Sequence, residues 1–165
     1  MSKTLIATLA NAAALAAALS APMPAHAVGQ AEVNWVHPEN YADAGRGELD
    51  RERVMKTLGD FFQQLAAKLP DGQTLKLDVL DVDLAGELRP FGTQEIRVLK
   101  GRADWPHMTL HYTLQSGGRT LTEGQARLDD MNYFFGLSTQ IERYGDLAYE
   151  KRMVQQWFDK TFKTP

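Results

Sequence analysis

Thr74-Leu75-Lys76-Leu77-Asp78-Val79-Leu80-Asp81-Val82-Asp83-Leu84 is the stretch from which the fold can be read. In an extended chain successive side chains point to opposite faces. Leu75, Leu77 and Val79 therefore share one face, and Leu80, Val82 and Leu84 share the other. The apolar parity changes at Val79-Leu80. Either the strand is covered on both sides, or a bulge there resets its register.

Upstream, Glu48 to Leu69 reads as a helix. Val54, Leu58, Phe61, Phe62, Leu65 and Leu69 recur at three- and four-residue steps and make one apolar stripe. Glu48, Asp50 and Glu52 crowd its first turns, where carboxylates favour the positive end of the helix dipole. Pro70-Asp71-Gly72 stops it. Before the helix, Glu32 to Val36 is a short strand with Val33 and Trp35 on one face, and His37-Pro38 ends it.

Downstream, Glu95 to Leu99 reads as an edge strand with Ile96 and Val98 inward. His107 to Gln115 and Arg119 to Leu128 form a hairpin closed by Gly117-Gly118, a pair suited to the positive φ angles of a tight turn. The returning strand starts with Leu121 inward and ends on the opposite parity, which predicts a bulge near Glu123-Gly124. Asp129 to Gly145 mixes aromatics and turn formers and gives no periodic signal. Asp146 caps a last helix to about Phe162, with Met153, Val154, Trp157 and Phe158 on its buried face and Glu150-Lys151-Arg152 facing solvent. The expected fold is α+β: a single mixed sheet in the order β-α-β-(β)-β-β-α, with two helices packed on one face. The expected core is Val54, Leu58, Phe61, Leu65, Leu77, Val79, Leu110, Tyr112, Leu114, Val154, Trp157 and Phe158.

Residues 1–27 have a different character. Lys3 precedes an uncharged, Ala- and Leu-rich run from Thr4 to Ser20, then Pro22, Pro24 and Ala25-His26-Ala27. That is the three-part layout of a secretory signal peptide, too short an apolar run for a membrane span. The division is 1–27 signal peptide and 28–165 single α+β domain, with no membrane insertion after cleavage. The chain has no cysteine, which excludes disulfides, a lipidated cysteine and thiolate metal sites. A formal net charge of −3 argues against nucleic acid as a partner.

The motifs exclude more than they point to. Gly45-Arg46-Gly47 starts like a dinucleotide loop, but Asp50 replaces the third glycine and acidic residues stand where a pyrophosphate would dock. Asp81-Val82-Asp83 starts like a calcium loop, but Ala85 removes the third ligand and Gly92 stands in place of the bidentate glutamate. Asp81 and Asp83 remain as two carboxylates about 6.6 Å apart on one strand face, suited to a weak cation or basic contact, or simply to capping a turn. His107 and His111 share a face about 13 Å apart, too far to meet one zinc ion at about 2.1 Å from each. Trp35, Trp105 and Trp157 each sit beside an apolar pattern or a turn, as packing residues do. No cofactor and no metal is implied.

Six local patterns remain: Val36-His37-Pro38-Glu39 with Tyr41-Ala42-Asp43; Asp81-Val82-Asp83-Leu84-Ala85-Gly86; Ile96-Arg97-Val98-Leu99; Asp104-Trp105-Pro106; Asp130-Met131-Asn132-Tyr133; and Tyr149-Glu150-Lys151-Arg152-Met153 leading to Trp157-Phe158. Together, in this order, they resemble the domain of unknown function 3016 family of exported Gram-negative bacterial proteins. The resemblance covers nearly the whole chain after the leader. It implies an envelope location and a single domain, and brings no catalytic residue.

The functional expectation is an exported soluble envelope protein, a non-catalytic domain that binds another envelope protein or an envelope component through its open sheet face. The alternative is a small periplasmic hydrolase-like enzyme that uses Asp81, Asp83, His107 and His111, if the fold brings them together. The leader predicts a product beginning at Val28. Intact-mass measurement of a periplasmic fraction checks this, and a full-length membrane-bound species would refute it.

Overall fold

The computed structural model describes residues 28–163. The predicted signal peptide, 1–27, lies outside the described residues. In chain order the elements are β1 (Gln30–Trp35), α1 (Gly47–Ala66), β2 (Gln73–Asp83), β3 (Glu87–Phe91), β4 (Gln94–Val98), β5 (His107–Ser116), β6 (Arg119–Asp129), α2 (Leu137–Tyr144) and α3 (Ala148–Phe162), with a 3-10 turn at Pro38–Asn40. The main sheet has the order β1-β2-β5-β6. β1 and β2 run parallel and are joined through α1; β2-β5 and β5-β6 are antiparallel. The fold is α+β, as expected.

The parity change in β2 is a bulge. Val79 pairs with Leu110 and Asp81 with Thr109, so Leu80 is the extra residue. Leu75, Leu77, Val79 and Val82 are all buried on the side of the helices, while Asp81 and Asp83 turn to the other face.

The hairpin's bulge lies elsewhere than expected. Leu114 pairs with Thr122 and Gln115 with Thr120, which makes Leu121 the unpaired residue and leaves it exposed rather than inward. Gly124 pairs regularly with Tyr112. A Cβ on Gly124 would come within 2.9 Å of the Tyr112 hydroxyl. The glycine is there to clear the tyrosine ring, not to bend the strand.

The core lies between the sheet and the pair α1 and α3. Val54, Leu58, Phe61, Phe62 and Leu65 from α1, with Met153, Val154 and Phe158 from α3, cover Leu75, Leu77, Val79 and Leu110. Tyr112 and Trp157 are only half-buried. They meet edge to face at 5.6 Å, and Phe162 closes the group at 5.6 and 5.5 Å from them.

Several local expectations are corrected. α1 ends at Ala66, and the chain tightens through Lys68 N–H to Leu65 C=O and Leu69 N–H to Ala66 C=O, which still buries Leu69. The expected edge strand pairs with β3 in a separate two-stranded hairpin, and Ile96 is 42% exposed instead of inward. The segment without periodic signal contains α2. Asp146 stands one residue before the α3 cap, Leu147; its carboxylate accepts from the Leu147 N–H and pairs with Arg53 at 2.6 Å.

Leu58→Ala is expected to lower stability by about 2–5 kcal/mol, the usual range for a fully buried leucine. Chemical denaturation measures it. An unchanged midpoint would show that Leu58 does not face this core.

Candidate functional site

Beyond the ends of β2 and β5 the chain concentrates its buried polar groups. Among the described residues the buried polar side chains are Asp104, Asp130, Gln140 and Glu150, all in this region. Burying such groups is unfavourable unless each finds partners.

Glu150 sits in the first turn of α3 and is 3% exposed. It was expected on the solvent face. Instead its Oε1 accepts the Ala85 N–H at 2.8 Å, which ties the start of α3 to the chain leaving β2. Its neighbours are committed as well. Lys151 donates to the Tyr144 carbonyl at 3.0 Å and lies 5.9 Å from the Phe61 ring centre. Arg152 pairs with the buried Asp130 at 2.5 Å. The reason is that α3 is covered on two sides, by the main core and by the segment that carries α2. A signal was present in the sequence: Glu150 precedes Met153 and Val154 by three and four residues, which places it on the apolar stripe.

Burial is the main cause that pushes the Glu150 carboxyl up; the Ala85 N–H and the Arg97 charge oppose it only in part. Arg97, from β4, grips both oxygens of Asp43 at 2.8 and 3.0 Å. It also donates to the Ala85 and Gly86 carbonyls at 3.3 and 3.2 Å. This fork holds the β3-β4 hairpin against the end of the main sheet. Asp43 in turn extends the sheet: its N–H reaches the Val82 carbonyl, and its carbonyl receives the Leu84 N–H, both at 3.0 Å.

A second cluster lies beside this one. The Asp104 carboxylate accepts the Lys100 and Arg102 N–H groups at 2.5 and 2.9 Å. Burial opposes its ionisation, but these bonds and the Tyr133 hydroxyl outweigh it and hold the carboxyl below its usual range. Burial and the bond to Asp104 push Tyr133 up to about 12. Tyr133 stacks edge to face on Tyr149 at 5.1 Å, and Gln140 donates to the Tyr133 and Phe135 carbonyls.

Between these groups opens a cleft of about 570 Å³. Its walls are largely apolar: Leu84, Ala85 and Leu99 on one side, Ile141, Leu147 and Tyr149 on the other. Leu147 holds a left-handed backbone at φ 54, two residues after Gly145 at φ 65. For a leucine that conformation costs about 1–3 kcal/mol and persists only where the surroundings enforce it. Here the Leu147 side chain packs on the main core. The polar groups of the lining are Arg97, Asp146, Glu150 and the Tyr149 hydroxyl, which is buried without a hydrogen-bond partner among the described residues. Exposed Phe134, Phe135 and Ile141 lie on the same segment, and Ile141 reaches the cleft itself.

The residues singled out in the sequence lie apart from the cleft, on the open sheet face. Asp81 caps a turn, accepting the Ala42 N–H at 2.9 Å. Asp83 and His107 come to 3.7 Å, an ion-pair distance too long for a hydrogen bond. Burial raises the Asp83 carboxyl, with His107 opposing it. His111 stands opposite Asp78, whose carboxylate accepts the Asn34 amide at 2.8 Å. The structure thus joins Asp83 to His107, with Asp43 and Asp81 near enough that their charges also raise the Asp83 carboxyl, and leaves His111 separate from them. Among the described residues no three His, Cys, Asp or Glu side chains gather in a way that could hold a metal ion. The open face is polar, with pairs such as Glu32–Lys76 at 3.4 Å, and the apolar opening is at the cleft instead.

A family model described as a protein of unknown function, DUF3016, matches residues 29–160. The chain belongs to the DUF3016 family. No curated protein and no solved structure matches it. The six segments that first suggested the DUF3016 family come together here: Asp43 meets Arg97, Ala85 meets Glu150, Asp104 meets Tyr133, and Asp130 meets Arg152.

A raised carboxyl favours folding only while it is neutral. The contribution of Glu150 is therefore full below the ordinary glutamate value of 4.5 and is withdrawn as pH climbs through its elevated value. Between the two values the slope is about 1.4 kcal/mol per pH unit. Glu150→Gln is expected to remove that slope, so the stability difference between variant and wild type shifts in the variant's favour with rising pH. Denaturation across pH 4 to 8 checks this, and parallel curves would sink the assignment.

Proposed function

We propose that this chain is an exported, non-catalytic binding domain of the bacterial envelope, and that its cleft takes a small, mostly apolar ligand with an amine head. The observation that carries this reading is the buried carboxyl of Glu150 in the lining of an apolar cleft. A volume of about 570 Å³ falls among small-molecule sites, which are apolar with a few placed polar groups. The other charges of the lining are already engaged, Arg97 with Asp43 and Asp146 with Arg53. A ligand ammonium would give Glu150 the partner that makes its ionised form favourable in a dry site.

Binding is favoured over catalysis by the same inventory. Acid–base chemistry needs a second titratable group within reach of the substrate. Of the two carboxyls in the lining, Asp146 is held by Arg53, and burial pushes the Tyr149 hydroxyl up so that it keeps its proton, which leaves Glu150 alone. The Asp83–His107 pair belongs to the polar sheet face. Support for export comes from the leader pattern in residues 1–27, which would place the ligand or partner among envelope components.

Thermal unfolding with octylamine, octanol and octanoate tests the reading. Octylamine is expected to stabilise most; a ligand at a hundred times its Kd adds about 2.7 kcal/mol. Glu150→Gln is expected to abolish the preference for the amine over the alcohol. Equal, negligible effects of all three compounds on wild-type protein would overturn the proposal.

A further inference from the structure

The two edges of the main sheet are finished differently. On β1, Gln63 of α1 turns its side-chain amide onto the backbone of Ala31: the Ala31 N–H donates to Gln63 Oε1 at 3.1 Å, and Gln63 Nε2 donates to the Ala31 carbonyl. That amide stands where a further strand would pair. β6, the other edge, runs from Arg119 to Asp129 and contains no proline. Among the described residues no strand pairs with its outer side. Long edges of this kind are templates for another strand, and proteins place charges on them to select or refuse partners.

The charges on β6 are arranged to accept one partner, the same strand reversed. Glu123 and Arg127 point to the open sheet face, each two residues from Gln125. Both are exposed, and neither forms a salt bridge with another described residue. In an antiparallel pair with a two-fold axis at Gln125, Glu123 of each copy stands opposite Arg127 of the other. On the opposite face Gly124 meets Ala126, two small residues that let the backbones approach. Thr122 of the second copy meets Leu128, beside a groove of about 290 Å³ that Leu128, Met153 and Trp157 line.

We propose that two copies of this chain pair antiparallel along β6 about Gln125, joining their sheets into one of eight strands. The contact is isologous, so it closes at a dimer and leaves each β1 edge capped by Gln63. Main-chain hydrogen bonds would supply affinity, as in strand addition generally, and the two Glu–Arg pairs would set register and direction. The inference is independent of what the cleft binds.

Sedimentation equilibrium of the protein and three variants tests it. The wild type is expected to be dimeric, with weaker association in high salt. Glu123→Lys or Arg127→Glu alone turns two attractive pairs into two repulsive ones, and each is expected to raise the dimer dissociation constant roughly tenfold or more. The double variant E123K/R127E restores opposite charges and is expected to restore the dimer. Both sites are exposed, so circular dichroism and melting should match wild type. A monomeric wild type, single variants that stay as tightly dimeric, or a folded double variant that stays monomeric would each overturn the proposal.

Discussion

The extra residue Leu80 in β2 sets the direction of everything that follows it. Without it, the alternation that buries Leu75, Leu77 and Val79 would carry Val82 out to solvent and Asp81 into the core. With it, Val82 and Leu84 stay against the helices, and the chain leaves the sheet with the Ala85 N–H aimed at α3. The same exit places the Ala85 and Gly86 carbonyls where Arg97 can reach them. A one-residue slip in a strand reverses every side chain beyond it, so this end of the molecule depends on that single insertion.

What the chain builds at this end is expensive in isolation. Removing carboxylates and guanidinium groups from water costs several kcal/mol each, and their mutual attraction does little more than offset that. Arg97–Asp43 and Arg152–Asp130 therefore add modest net stability. Their geometric effect is larger. Arg97 fixes a hairpin with few apolar contacts, and Arg152 fixes the segment carrying α2 through Asp130 and the Phe135 carbonyl. These pairs fix the segments that flank the apolar cleft. Glu150 differs from them: it has a hydrogen bond from Ala85 but no ion pair among the described residues, and it titrates accordingly.

The sheet edges follow a related logic. β1 is short, and a side-chain amide takes up the outward N–H and carbonyl of Ala31 within the chain. β6 is long, carries both charge signs, and is bent by its bulge at Leu121 just after the turn. Bulges and charges are the usual means of making an edge selective.

Much of the architecture was already legible in local pattern. The apolar stripe from Val54 to Leu65, the alternation through β2 and β5, and the Gly117-Gly118 turn each follow from geometry that a few neighbouring residues impose, so helix, strands and hairpin could be read directly. The bulge at Leu80 showed as a parity change. The bulge at Leu121 was misplaced because Gly124 looks like a bulge glycine locally, whereas it serves the Tyr112 ring on the facing strand. The site was not legible as a site. Asp81, Asp83, His107 and His111 drew notice as close pairs in sequence, yet they line a polar face. Glu150, Arg97 and Asp43 lie far apart in the chain, and no spacing rule links them. Local pattern specifies most of the elements, the core stripe, the absence of thiol chemistry and the family, but not β3 or α2, whose residues carry no such period. That Glu150 is buried follows from the assembled fold, because its environment is made by the chain leaving β2, by β4 and by the segment carrying α2, and burial is a property of what surrounds a side chain.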